Sequence, residues 1–369
     1  MAKHLYAETL LTPGLDIPFQ WRYGGAESDL LSLMDRESPV YGALEQSINR
    51  FDYTTFDLAL DKPTLIEWAN SQSELQDAAD IRELRLGAAH VFQQSIELLQ
   101  GMQMMTSREE DPSRLAFIHH NIGDVMGLIG QRSGSVHFLE QAALSYEQAL
   151  ELRTQDETPV DWAETKLNYG VIIHTIGVLE DDSRMLKDAL DTYKSAVNFI
   201  DRKEDPKTWA CAMSNIGVVL CQLGTHRRGA RTLEQALVAL RNTLAVRHLD
   251  DDPFAWGLTQ NNVAAVMQAT GEHEEDISAL EASIPLYDAA LKVLTPDAVP
   301  LVSAMVSANR AAAMRALAEE SDYLDMAETS AAEFDRLSDL FRKTDFEHYV
   351  SAAEQKAEDA RELVGALQV

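Results

Sequence analysis

Basic charge is what this chain has least of: 31 Lys and Arg stand against 60 Asp and Glu, giving a formal net charge of -29 over 369 residues. Surfaces that bind by displacing counterions from phosphate backbones or anionic lipid need Lys and Arg, so nucleic acid and membrane are not expected as partners. Cysteine is almost as scarce. Cys211 and Cys221 lie ten residues apart on one predicted helix, roughly 15 Å at about 1.5 Å per residue, which excludes a disulfide between them and leaves them as packing residues. Long apolar runs are missing too. The opening segment MAKHLYAETLLTPGLDIPFQ has no uninterrupted apolar core of signal-peptide length, and no later stretch spans a membrane without a charge, so a soluble, cytoplasmic protein is expected. Catalytic motifs are lacking as well. In Gly130-Gln131-Arg132-Ser133-Gly134 the serine comes one place too late for a nucleophile elbow, and there is no phosphate-cradling glycine loop or zinc-protease helix. No catalytic residue, metal or cofactor is expected.

What the chain does have is a period. Pro112, Pro159, Pro206, Pro253 and Pro300 are spaced by 47 residues, and so are Asn121, Asn168, Asn215, Asn262 and Asn309. Two further ladders keep the interval, Gly123, Gly170, Gly217, Ala264, Ala311 and Gly130, Gly177, Gly224, Gly271, Ala318. Self-similarity at such a period marks a solenoid whose members cannot bury their apolar faces alone.

Within one repeat, Asp205 is placed to cap a helix whose first residue, Pro206, lacks only a donor that would have been unpaired. Asp111-Pro112, Thr158-Pro159 and Asp252-Pro253 repeat the device. Ile216, Val219, Leu220 and Leu223 then follow at helical spacing, as do Ile122, Val125, Met126 and Ile129 earlier. The glycines at 130, 177, 224 and 271 are expected to end these first helices as left-handed caps. A second helix carries Leu186, Ala189, Leu190, Tyr193, Ala196 and Val197, matched by Leu139, Ala142, Tyr146, Ala149 and Leu150. Small residues at Gly170 and Ala189 allow close approach, and Tyr193 and Trp209 fill space toward neighbours, so each repeat reads as an antiparallel helical hairpin. Pro285, inside a second helix, predicts a kink near Glu281 to Pro285.

Asn215-Ile216-Gly217 followed by Gly224, with Ala189, Tyr193 and Ala196 on the second helix, resembles the tetratricopeptide repeats. The usual member of that family has 34 residues, and the extra length together with Pro159-Val160-Asp161-Trp162-Ala163 is similar to extended bacterial variants. The resemblance covers 112–346 and implies an all-α fold, a right-handed superhelical solenoid of antiparallel helix hairpins. It also implies that the ladder asparagines line a concave groove where their amides clamp the backbone of an extended peptide, a task suited to a group that both donates and accepts. The alternative is that each Asn bonds a neighbouring helix and fixes repeat orientation.

The expected organisation is an N-terminal cap over 1–64, partly irregular, a degenerate helical repeat over 65–111, five repeats at 112–158, 159–205, 206–252, 253–299 and 300–346, and a capping helix over 347–369. Trp68 and Ala69 mark the degenerate repeat, where Glu74 and Gln76 replace the Asn and Gly. Phe19, Trp21, Tyr23, Tyr41, Phe51, Tyr53 and Phe56 crowd the first segment, as a seal or as a binding surface. Phe346, Tyr349, Val350, Ala353, Ala357, Leu363 and Leu367 fit the last helix.

The leading functional reading is a non-enzymatic scaffold holding a protein or peptide partner on Asn121, Asn168, Asn215, Asn262 and Asn309, with Asp124, His174, Gln268 and Arg315 on the same lining. Acidic turns at Glu109 to Asp111, Asp156 and Glu157, Glu204 and Asp205, and Asp250 to Asp252 favour helix starts and would attract a basic partner. A regulatory subunit of a bacterial signalling or defence complex is a second reading. A third is a metal-dependent hydrolase using His119, His120, Asp124 and His174, a set that still needs an outer shell. Arg227, Arg228 and Arg231 form the one local basic cluster.

Overall fold

Each of the five prolines opens a helix. The computed structural model describes residue 96 and residues 99–133, 135–226, 229–297, 299–343 and 349–368, and among them all regular structure is helical. The helices are α1 (Pro112–Ser133), α2 (Val136–Leu150), α3 (Pro159–Leu179), α4 (Ser183–Val197), α5 (Pro206–His226), α6 (Ala230–Leu244), α7 (Pro253–Glu274), α8 (Ile277–Leu291), α9 (Pro300–Ser321), α10 (Leu324–Arg342) and α11 (Val350–Leu367). The aromatic N-terminal segment, Trp68, Ala69, Glu74, Gln76, Arg227, Arg228 and Phe346 lie outside the described residues.

The chain divides into two compact units. The first runs to Glu180 and takes in Ser195–Ile200; the second holds Asp181–Lys194 and everything from Asp201 on. In the first, α1 packs on α2, α2 on α3, and α1 also meets α3. In the second, each helix from α5 to α11 packs on the next, and α5, α7, α9 and α11 touch in sequence. This is an all-α array of stacked helix hairpins.

The two kinds of helix differ in how they are covered. Second helices bury one stripe, as with Leu139, Ala142, Tyr146 and Ala149 in α2 or Leu280, Ser283, Tyr287 and Ala290 in α8. First helices are buried on almost every side: α7 covers residues as diverse as Gly257, Asn261, Val263, Ala265 and Gln268. An element buried all round is the inner layer of its array.

The glycine ladder ends no helix. α1, α5 and α7 run on past Gly130, Gly224 and Gly271, α3 past Gly177 and α9 past Ala318, and the left-handed residues are instead Asp181, Glu275 and Asp322, with φ of 54°, 54° and 55°. The glycines serve packing. A Cβ on Gly130 would lie 2.7 Å from Leu139 Cγ, one on Gly224 2.8 Å from Leu233 Cδ2, and one on Gly271 2.5 Å from Leu280 Cγ. The missing side chain is the space that the leucine of the returning helix occupies.

Capping follows the sequence except at Thr158. Asp111, Asp205 and Asp252 accept from the backbone N–H groups of Arg114, Thr208 and Ala255 at 3.0, 3.1 and 3.0 Å. Thr158 makes no such bond, because its hydroxyl turns back to the Thr154 carbonyl. The chain stays helical through Pro285, which costs the bond to Glu281 without ending α8. α11 closes the array by burying Ala353, Ala357 and Ala360, with Tyr349 fully covered at its start.

Candidate functional site

The five ladder asparagines sit mid-way along the inner helices, and all are buried: Asn121, Asn168, Asn215, Asn262 and Asn309 are 4, 5, 0, 1 and 0% exposed. Their bonds differ. Asn121 Nδ2 donates to the Phe117 carbonyl of its own helix at 2.7 Å. Asn168 Nδ2 reaches Asp124 Oδ1 on α1 at 3.1 Å. Asn309 Nδ2 donates to Asn261 Oδ1 on α7 at 2.8 Å, and Asn261 in turn donates to Asn262 Oδ1 at 3.1 Å. Asn215 alone among them has both amide atoms covered and without a partner. Leaving a buried donor or acceptor unmade costs on the order of 1–3 kcal/mol, so this amide stands in want of a donor and an acceptor together.

The neighbouring lining positions are covered as well. Asp124 is 5% exposed, His174 1% and Gln268 2%, while Arg315 is partly exposed and pairs with Glu319 at 2.9 Å. Asp124 is the centre of a buried polar cluster that ties α1, α2 and α3. Its Oδ1 accepts from Tyr146 Oη at 2.5 Å as well as from Asn168, and its Oδ2 lies 3.5 Å from His120 Nε2. His120 also meets the Tyr146 ring edge-on at 5.6 Å between centroids and Thr165 Oγ1 at 3.1 Å. Arg153, from the connection after α2, donates to Thr165 Oγ1 at 2.6 Å.

Burial dominates the electrostatics here. It pushes the Asp124 carboxyl up to about 7, reinforced by Glu164 and opposed by Tyr146, Asn168 and Arg153. It pushes His120 down to about 3, with Arg153 adding to the effect. His119, beside it, is lowered first by burial and then by Arg108, against Glu151.

The second unit repeats parts of this cluster, with Gln268 as the acceptor of the tyrosine. Arg247 Nη1 donates to Thr259 Oγ1 at 2.9 Å, as Arg153 does to Thr165 two repeats earlier. Arg247 Nη2 also lies 3.2 Å from Cys211 Sγ. Tyr287 Oη donates to Gln268 Oε1 at 2.9 Å, and Gln268 Nε2 to Glu272 at 2.9 Å. Tyr287 is held as a phenol by burial, then by Glu272 and Cys221. Sequence reasoning missed Asn261, Tyr146, Tyr287 and the Arg-Thr pairs as polar partners. The pairs had a signal, since Arg153 and Thr165 recur together 94 positions on as Arg247 and Thr259.

Other sequence candidates separate from this face. Among the described residues no three His, Cys, Asp or Glu are grouped to hold a metal ion. Neither cysteine forms a disulfide, both are buried, and burial pushes the Cys221 thiol up to about 12. The acidic turns are exposed except at the half-buried caps Asp205 and Asp252; Asp201 and Glu109 are held below the usual carboxylate range, chiefly by backbone N–H donors. Arg231 is exposed. A groove on the first unit, lined by Glu147, Leu150, Glu151, Lys166 and Tyr169, has its own Lys166 ammonium 5.4 Å over the Tyr169 ring. No helix among the described residues is long and apolar enough to cross a membrane.

No known family's sequence profile matches the chain, and no curated protein does. Among solved structures it is similar to a circular tandem repeat protein with novel repeat topology and enhanced subunit contact surfaces, at 12% identity over 89% of this chain and 88% of that one, with a TM-score of 0.25. At so low a score the hairpin array rests on its own packing.

Proposed function

We propose that this chain is a non-enzymatic interaction scaffold, similar in design to the tetratricopeptide repeats, which takes extended segments of a partner protein on the asparagine faces of the inner helices within each of its two units. Asn121, Asn168, Asn215, Asn262 and Asn309 supply amides, with Asp124, His174, Gln268 and Arg315 beside them. The supporting observation is Asn215, whose Nδ2 and Oδ1 both lack a partner while covered. A peptide bond offers the acceptor and donor that such an amide needs. Because the face is buried, binding requires that it open. The net charge of -29 favours a segment carrying basic residues, whose association then slows as salt is added.

Displayed random peptides panned on the immobilised full chain test the reading. Enriched sequences that bind the native chain and lose at least tenfold affinity to Asn215→Ala support it. An unchanged affinity in Asn215→Ala, or no enrichment at all, refutes it. Melting temperature separates the two roles of the residue, since Asn215→Ala removes no bond and relieves an unmet amide, so no fall in stability is expected.

A further inference from the structure

The inner helices of the second unit are covered on a side that no described helix closes. On α7, Gly257 meets Val293 and Leu294, and Gly271 meets Leu280, which turns that side toward α8 and the residues after it. At about 100° per residue, Leu258, Asn262, Ala265 and Ala269 lie roughly 100–160° further round the helix. The helices packed on α7 are α5, α6, α8 and α9. Two of these are outer helices, and α5 and α9 flank α7 in the inner row, as the bond from Asn309 to Asn261 shows for α9. The side turned away from α8 thus has none of them, yet its four residues are only 7, 1, 2 and 7% exposed. Asn215 and Val218 on α5, set against Gly217 and Gly224, and Met305 and Asn309 on α9, set against Ala311 and Ala318, hold the same place, and all four are fully covered.

Within this one chain the cover comes from residues outside the described set. Every gap after residue 99 is five residues or shorter and falls at the end of a helix, so none can cross the middle of three helices. Residues 1–95 can. One segment among them reads as extended: Pro13, Gly14 and Pro18 oppose a helix, and Leu15, Ile17 and Phe19 alternate with Asp16 and Pro18. Seven extended residues span roughly 23 Å, which matches two steps of about 10 Å between the axes of neighbouring helices. Roughly 80 residues separate Phe19 from Leu99, on the order of 260 Å of chain, so reach sets no limit. Lys3 and Arg22 balance Glu8 and Asp16 over 1–25, so this end brings no net charge to a chain of -29.

We propose that residues 13–19 lie across the inner face of the second unit as a built-in competitor of the partner segment, with Leu15, Ile17 and Phe19 as its apolar anchors. The inference rests on reading that face as one that binds peptide. The cover leaves both amide atoms of Asn215 unmatched, so a partner whose backbone pairs with them holds an advantage over the chain's own segment and displaces it.

Replacing Phe19 by the photo-crosslinker benzoylphenylalanine in the full chain tests the contact. Crosslinks within one chain to α5, α7 or α9 support the proposal. Crosslinks to a second copy, to outer helices alone, or to nothing overturn it. The effect on access is read with Ala265→Cys, labelled by a maleimide and mapped by peptide mass spectrometry. Adding Leu15→Asp, Ile17→Asp and Phe19→Asp should speed labelling at position 265 at least tenfold with helix content unchanged by circular dichroism; an unchanged rate overturns the proposal. Peptides selected on the native chain should bind the chain carrying the three aspartate substitutions at least tenfold more tightly. Equal binding to both chains overturns the competitor and leaves the scaffold reading standing. Selection that fails on both chains removes the scaffold reading and the competitor with it.

Discussion

Tyr146 and Tyr287 occupy the same place in their repeats, both are fully buried, and both donate into the adjoining inner helix, yet one meets a carboxyl and the other an amide. The acceptors also differ in position. Asp124 corresponds to Ala265 three repeats on, and Gln268 corresponds to Gly127. In these two repeats the donor keeps its place on the second helix, where the third and fifth carry Leu240 and Phe334, while the acceptor shifts by about one turn along the first because i and i+3 share a face. The acceptor of Tyr146 is ionisable and that of Tyr287 is not. Repetition in this chain dictates backbone and packing, and leaves the chemistry of each inner face to individual residues.

The largest effect is expected where packing, not chemistry, carries the repeat. Gly271 and Leu280 are nine residues apart, as are Gly130 with Leu139 and Gly224 with Leu233, and in each pair a Cβ on the glycine would clash. The fifth repeat breaks both members at once, with Ala318 and Ala327, both fully buried. Leu280→Ala should cost about 2–5 kcal/mol through cavity formation, and Gly271→Ala about 1–3 kcal/mol through overpacking, less any helix propensity gained. Combined, they reproduce the Ala318 and Ala327 arrangement. Urea unfolding should show the double variant losing at least about 1 kcal/mol less than the sum; strict additivity would mean that the glycine and leucine do not share one space.

Next come the tyrosines themselves. Tyr287→Phe strips Gln268 of a neutral donor and should cost about 0.5–1.5 kcal/mol at any pH between 5 and 8. Tyr146→Phe should resemble it at pH 5, where Asp124 is protonated. Above pH 7 the acceptor becomes a carboxylate, and the loss should grow toward about 1.5–3 kcal/mol. Stability curves for both variants at pH 5 and pH 8 check the contrast, and a Tyr146→Phe penalty that shrinks on raising pH would contradict the titration of Asp124.

Much of the architecture was legible because it rests on period and on proline. Pro112, Pro159, Pro206, Pro253 and Pro300 each begin a helix, and the stripe Leu139, Ala142, Tyr146, Ala149 is buried as its spacing implies. The glycines misled because a glycine near a helix end serves equally as a left-handed cap or as room for a neighbour, and only the returning leucine distinguishes them. The polar face was legible as positions but not as bonds. An Asn ladder looks uniform in sequence, whereas each amide meets a different kind of acceptor: the Phe117 carbonyl of its own helix for Asn121, the Asp124 carboxyl for Asn168 and the Asn261 amide for Asn309. Likewise the His120 and Asp124 spacing suggested ligands for a metal, whereas the hydroxyl that engages His120 Nδ1 belongs to Thr165, 45 residues away.

The smallest expected effect lies at the helix starts, and it separates two repeats whose sequences promise the same cap. Asp252 accepts from Ala255 N at 3.0 Å, and Thr158 accepts from nothing in α3 because its hydroxyl points back at Thr154. Asp252→Ala should therefore cost about 1 kcal/mol, the worth of a working cap, and Thr158→Ala no more than about 0.5 kcal/mol. Hydrogen exchange at the first turns of α7 and α3 would show where each loss falls. Faster exchange confined to α7 fits a cap made by Asp252 alone. An equal rise in α3 would mean that Thr158 engages the helix start in solution, and that the two repeats are closer in their capping than their side-chain geometry indicates.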